Sequence, residues 1–103
     1  MGFELDLLPE VKTDLRDISA WYDGQMEGLG DDFADAFIAT LPILRTNPAA
    51  FACCYRNFRH VVIERFPYAI YFRIVGLRVE VFRIYHGARS QAALRKSLHD
   101  FLP

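Results

Sequence analysis

Residues 58–86, "FRHVVIERFPYAIYFRIVGLRVEVFRIYH", decide the fold. β-branched and aromatic residues dominate the stretch, and "FP" at 66–67 and "GL" at 76–77 interrupt it. Three strands joined by tight turns predict an antiparallel meander. In the middle strand Tyr68, Ile70, Phe72 and Ile74 share one face, and Ala69, Tyr71, Arg73 and Val75 share the other. The first set is apolar apart from one hydroxyl and is assigned to the core. The second leaves a half-polar face that contains Arg73. The third strand has no single orientation by pattern, because Val79 and Val81 compete with Phe82 and Ile84 for the core face.

An apolar sheet face needs a cover, and the first half of the chain supplies one. "FELDLL" predicts a short first strand. Pro9 then opens a helix expected over residues 9–26, with Val11, Leu15, Ile18 and Tyr22 as its stripe. Asp14 and Asp17 read as solvated charges on that helix. "GLG" at 28–30 breaks it, and Asp31 is expected to cap a second helix reaching residue 45. Phe33, Phe37, Leu41 and Leu44 form the second stripe, and Pro42 should kink the helix near its end. After the meander, "QAALRKSLHDFL" predicts a last helix capped by Ser90, with Leu94, Leu98 and Phe101 or Leu102 facing inward. The expectation is one α+β domain over residues 1–103 in the order β-α-α-β-β-β-α, a helical hairpin packed on a twisted antiparallel sheet.

Composition agrees with a soluble globular domain: 103 residues, 52% hydrophobic and 24% charged. No apolar run approaches the roughly 20 residues that span a bilayer, so no membrane association is expected. The first ten residues lack a basic segment, so no secretory signal is read there, and Asp6 stands where a myristoylation signal has Ser or Thr. Cys53 and Cys54 are adjacent and are expected to be reduced, partly buried thiols of a cytoplasmic protein. They are too few for a zinc site, and no metal or cofactor is expected.

The net charge of −1 argues against holding nucleic acid by bulk charge. The charge is nevertheless uneven. Residues 1–50 carry ten acids against three bases, whereas residues 51–103 carry nine bases, eight of them arginine, against three acids. Arginine suits bidentate contact with carboxylates or phosphates. Arg65, Arg73, Arg83 and Arg89, with His86, are therefore the candidate residues for binding a partner, with self-pairing between the halves as the alternative.

"LPEVKTDLRDISAWYDGQ", "GLGDDFADAF", "NPAAF", "FPYAIYFRI" and "VFRIYHGAR" together resemble the RelE/ParE superfamily of type II toxins, from about residue 3 to 91. The resemblance implies two helices on one face of a twisted antiparallel sheet. It implies a toxin encoded beside an antitoxin, often described as a plasmid-stabilisation protein that inhibits growth. RelE-like members cleave messenger RNA on the ribosome; ParE-like members poison DNA gyrase. The cations of the RelE-like site fall here on His60, Val62 and Ala69, and only Arg89 matches. Each missing donor is worth roughly 2–4 kcal/mol of transition-state stabilisation. His86, Arg89 and Tyr85 are the weak catalytic candidates, since histidine is the usual base near neutral pH. "FRIYHGAR" resembles the ParE-like branch more closely. The expected partners are a cognate antitoxin, forming a hetero-oligomer with the toxin, and gyrase as target. A ribosome-dependent endoribonuclease is the first alternative, and a non-toxic interaction module of the same fold is the second.

Overall fold

The computed structural model describes residues 2–87 and 91–100. Strand β1 (Glu4–Leu7) leads into helices α1 (Pro9–Gln25) and α2 (Leu29–Thr46). A single 3-10 turn at Pro48–Ala50 precedes β2 (Cys53–Tyr55), β3 (Phe58–Val62), β4 (Tyr68–Val75) and β5 (Arg78–His86), and α3 (Gln91–His99) ends the order. The predicted succession is present, with one short strand added at Cys53–Tyr55. The sheet order is β1-β5-β4-β3-β2. The meander is antiparallel, but β1 joins β5 in parallel, so the five-stranded sheet is mixed. No turn joins β1 to β5: the helical hairpin and three further strands lie between them, so the pair is free of the antiparallel direction that a tight hairpin imposes.

Both faces of the sheet are covered. Ile70 and Phe72 of β4 pack with Val11, Phe33, Phe37 and Leu44 of the hairpin, and Tyr68 and Ile74 sit at the margin of that core. The opposite face carries Arg73 as expected, paired with Glu80, but much of it is buried. Ala69, Tyr71, Phe58 and Phe82 form a second core with Leu94 and Leu98 of α3. The other expected contacts of α3, Phe101 and Leu102, and its Ser90 cap lie outside the described residues.

The ambiguity of β5 is resolved by one extra residue. Tyr71 pairs with Arg83 while Phe72 pairs with Val81, so Phe82 is inserted in the ladder. Such a bulge restarts the alternation of side chains one residue out of step. Val79, Val81 and Ile84 consequently all reach the hairpin core, while Phe82 reaches the second core. Without the insertion, Arg83 would follow Val79 and Val81 into the hairpin core, where an unpaired guanidinium is prohibitive. The hairpin between β4 and β5 turns at Gly76, whose φ of 61° lies in the left-handed region that glycine enters without strain.

Asp31 does not cap α2. The helix starts at Leu29 with Gly28 at its N-cap, and the carboxylate that serves it comes from α1: Gly30 N–H donates to Asp23 Oδ1 at 2.8 Å. Gly30 is also where the two helices touch. A Cβ there would lie 2.3 Å from the Ser19 carbonyl oxygen and 2.7 Å from Asp23 Cγ. Pro42 lies inside α2 without ending it, in a turn whose outer side is exposed. Gly30→Ala is expected to cost about 1–3 kcal/mol by forcing the helices apart. A fall in the thermal midpoint well beyond that of an exposed control, Gly24→Ala, checks this.

Candidate functional site

Strand β1 ends at Leu7, level with Val81, so the outer edge of β5 from Phe82 to His86 has no strand beside it. Helix α1 crosses this gap. Asp14 stands over the edge and accepts a hydrogen bond from Ile84 N–H at 3.1 Å, replacing the missing strand partner. The same carboxylate accepts two bonds from Arg83, from Nε at 2.7 Å and Nη2 at 3.0 Å. The third arm of Arg83 donates to Ser97 Oγ of α3 at 2.6 Å. One guanidinium thus ties α1, β5 and α3 together. The side chains are 14% and 24% exposed, so water screens the pair little. The hydrogen bonds from Arg83 to Asp14 hold its already high pKa higher still, against the opposing effect of burial.

Asp14 is therefore a clasp, not the solvated charge its sequence position suggested. A signal was present: it lies three residues after Val11 and four before Ile18, on the flank of the apolar stripe. Asp17, one turn on, is 71% exposed, as expected.

Between α1 and the β5 edge lies an open groove of about 700 Å³. Ile18, Trp21 and Tyr22 form one wall; Pro67, Tyr68 and residues 83–86 form the other. Trp21 is 58% exposed and meets Tyr22 edge-on at 5.1 Å, and His86 meets Tyr68 edge-on at 5.0 Å. Burial, then the nearby Tyr68 phenol, pushes the Tyr22 phenol above its ordinary range. Sequence reasoning had placed Ile18 and Tyr22 in the core and had not singled out Trp21.

The predicted site residues scatter. His86 and Tyr85 are successive on β5 and project to opposite faces, Tyr85 packing at the margin of the second core with the Arg83 guanidinium 5.8 Å over its ring. Arg73 lies on the α3 face, donates to Glu80 Oε1 at 2.8 Å and stacks over the rings of Phe82 and Phe58 at 5.1 and 5.7 Å. Arg78 completes that cluster at 3.2 Å from Glu80 Oε2. Bonds from Arg73 outweigh burial and hold the Glu80 carboxyl below its ordinary value. Arg65 is exposed in the β3–β4 turn, in the left-handed region with φ of 72°, beside Val62, Glu64 and the Ala36–Thr40 side of α2. Arg89 lies outside the described residues. Arg83 and Arg73 are thus joined to acids within the domain, the self-pairing alternative, while Arg65 stands apart.

Among the described residues, the positions that would carry cations in a RelE-like site do not form a phosphate cradle. Val62 is 62% exposed, Ala69 is 5% exposed beneath α3, and the His60 ring stacks on Tyr71 at 5.6 Å. Burial, then the neighbouring Cys54 and Tyr85, pushes the Tyr71 phenol up. Cys53 and Cys54 are free thiols as expected, but both are exposed, because they lie on the outermost strand. Among the described residues, no three potential metal-ligating side chains converge, and no helix is long and apolar enough to cross a membrane.

A hairpin on one sheet face, a short helix on the other and an aromatic groove at the sheet edge define a small α+β domain. Residues 5–91 match the family described as the ParE toxin of the type II toxin–antitoxin system, parDE, and the chain belongs to that family. Among solved structures, a chain of the chromosomal ParDE toxin–antitoxin system from P. aeruginosa is similar, with a TM-score of 0.74 at 18% identity, over 82% of this chain and 95% of that one. At that identity the likeness concerns the fold. No curated protein matches the sequence.

Asp14→Ala is expected to destabilise the domain by roughly 2–3 kcal/mol, since it strands a half-buried guanidinium and an edge N–H. Urea unfolding measures this, and Asp17→Ala, on the same helix, is expected to change little. The Glu80 cluster predicts an acid effect. A carboxyl held below its ordinary value stabilises the fold above that value, 4.5, and the contribution disappears as pH falls through the lowered one. Glu80→Gln should therefore lose less stability than the parent between neutral pH and pH about 3, measured by urea midpoints.

Proposed function

We propose that this chain is the toxin of a type II module, acting in the cytoplasm on DNA gyrase and neutralised by a cognate antitoxin in a hetero-oligomer. Membership of the ParE toxin family over residues 5–91 carries the reading. The site geometry supports the gyrase branch over the ribonuclease branch. A nuclease must activate a ribose hydroxyl, neutralise a phosphate and protonate a leaving oxygen from one place. Here the corresponding positions hold an exposed valine, a buried alanine and a stacked histidine, and Tyr85 and His86 face apart. Binding needs only surface, and the aromatic groove provides it. An antitoxin with a disordered tail would fold onto such a surface, adding a helix or strand.

Expression of the chain in a bacterium is expected to arrest growth with filamentation and DNA-damage signalling, and the purified protein should inhibit supercoiling by gyrase. Rapid translation arrest with cuts in ribosome-bound messages would instead establish the ribonuclease, and unaffected growth the non-toxic module.

A further inference from the structure

The groove differs in charge from the arginine-rich half of the chain that forms one of its walls. Its charged lining residues are Asp14, Asp17 and Arg83, with His86 at the end of the strand. Arg83 is neutralised by Asp14 at 2.7 Å, which leaves Asp17 as the surplus charge among the described lining residues. Among the described residues, Asp17 pairs with Arg16 Nε over 3.9 Å between side chains 71% and 77% exposed, a contact of little energy. Beside it stands Trp21, the single tryptophan of the chain, more than half exposed, with the rings of Tyr22, Tyr68 and His86 further in. Ile18 and Trp21 lie three residues apart on the same helix face, an apolar track leading past the carboxylate. Accessible aromatic faces next to a weakly engaged carboxylate select a cation on an apolar stem, guanidinium above ammonium.

We propose that this groove receives an arginine or lysine side chain presented by the antitoxin, its methylene stem along Ile18 and Trp21 and its head between Asp17 and the rings. The proposal rests on the toxin–antitoxin reading above. An acidic segment on the arginines of β4 and β5 fits less well. Arg73 and Arg83 already hold Glu80 and Asp14, so such a segment would have to displace an ion pair at each.

The single tryptophan is the reporter. The purified chain is titrated at low salt with two blocked hexapeptides, Ala-Leu-Ala-Arg-Leu-Ala and its twin with neutral citrulline in place of arginine. The arginine peptide is expected to shift the Trp21 emission and to bind roughly five- to tenfold tighter than its twin. Asp17→Asn should cut that preference at least about twofold without moving the thermal midpoint. Equal binding of the twins, an unmoved emission, or an arginine preference undiminished by Asp17→Asn overturns the proposal. Toxicity and its neutralisation are read separately in cells. A neutralised toxin whose groove ignores arginine sinks the slot alone; a groove that prefers arginine in a harmless chain sinks the toxin reading alone.

Discussion

The extra residue in β5 is the constraint on which the rest of the structure depends. By inserting Phe82, the strand sends Val79, Val81 and Ile84 to one core and Phe82 to the other. It also turns Arg83 away from the hairpin core and toward Asp14 and Ser97. Asp14 then serves two purposes with one carboxylate, closing the bare edge of β5 at Ile84 N–H and holding the guanidinium that reaches α3. Where α1 leans over that edge, the groove opens. Bulges are common at sheet edges because they re-aim side chains there, and this one creates both a clasp and a slot.

Much of this organisation was legible in the sequence. Long periodic elements declared themselves: the α1 stripe of Val11, Leu15, Ile18 and Tyr22, and the alternation in β4. The bulge was not legible, because alternation carries no mark of where a residue is inserted; it showed only as rivalry between Val79 and Val81 on one side and Phe82 and Ile84 on the other. The second core was half legible: Leu94 and Leu98 read as inward-facing, but no local pattern shows that they meet Ala69, Tyr71 and Phe82. β2 was missed because three residues with two cysteines show no period. The parallel seating of β1 depends on its pairing with β5, some seventy residues on, not on anything local to "FELDLL".

The site was less legible than the fold, and the reason is electrostatic. A count of charges along the chain shows an acidic half and a basic half; it does not show which charges meet. Asp14–Arg83 spans 69 residues, so it is invisible to local reasoning, whereas Arg73–Glu80 is a near neighbour across one hairpin. Once these pairs are drawn, Arg73 and Arg83 become structural, and the accessible chemistry moves to Trp21, Tyr22, Tyr68 and Asp17.

The role of Asp14 at the strand edge can be read one amide at a time. Native-state hydrogen exchange at Ile84 N–H, followed by NMR in the parent and in Asp14→Asn, isolates the bond that substitutes for the absent strand. The account predicts an amide well protected in the parent, with protection falling selectively at Ile84 in the variant while its β4 neighbour Ile70 stays slow. An Ile84 amide that already exchanges like a bare edge in the parent, or one indifferent to Asp14, would contradict it.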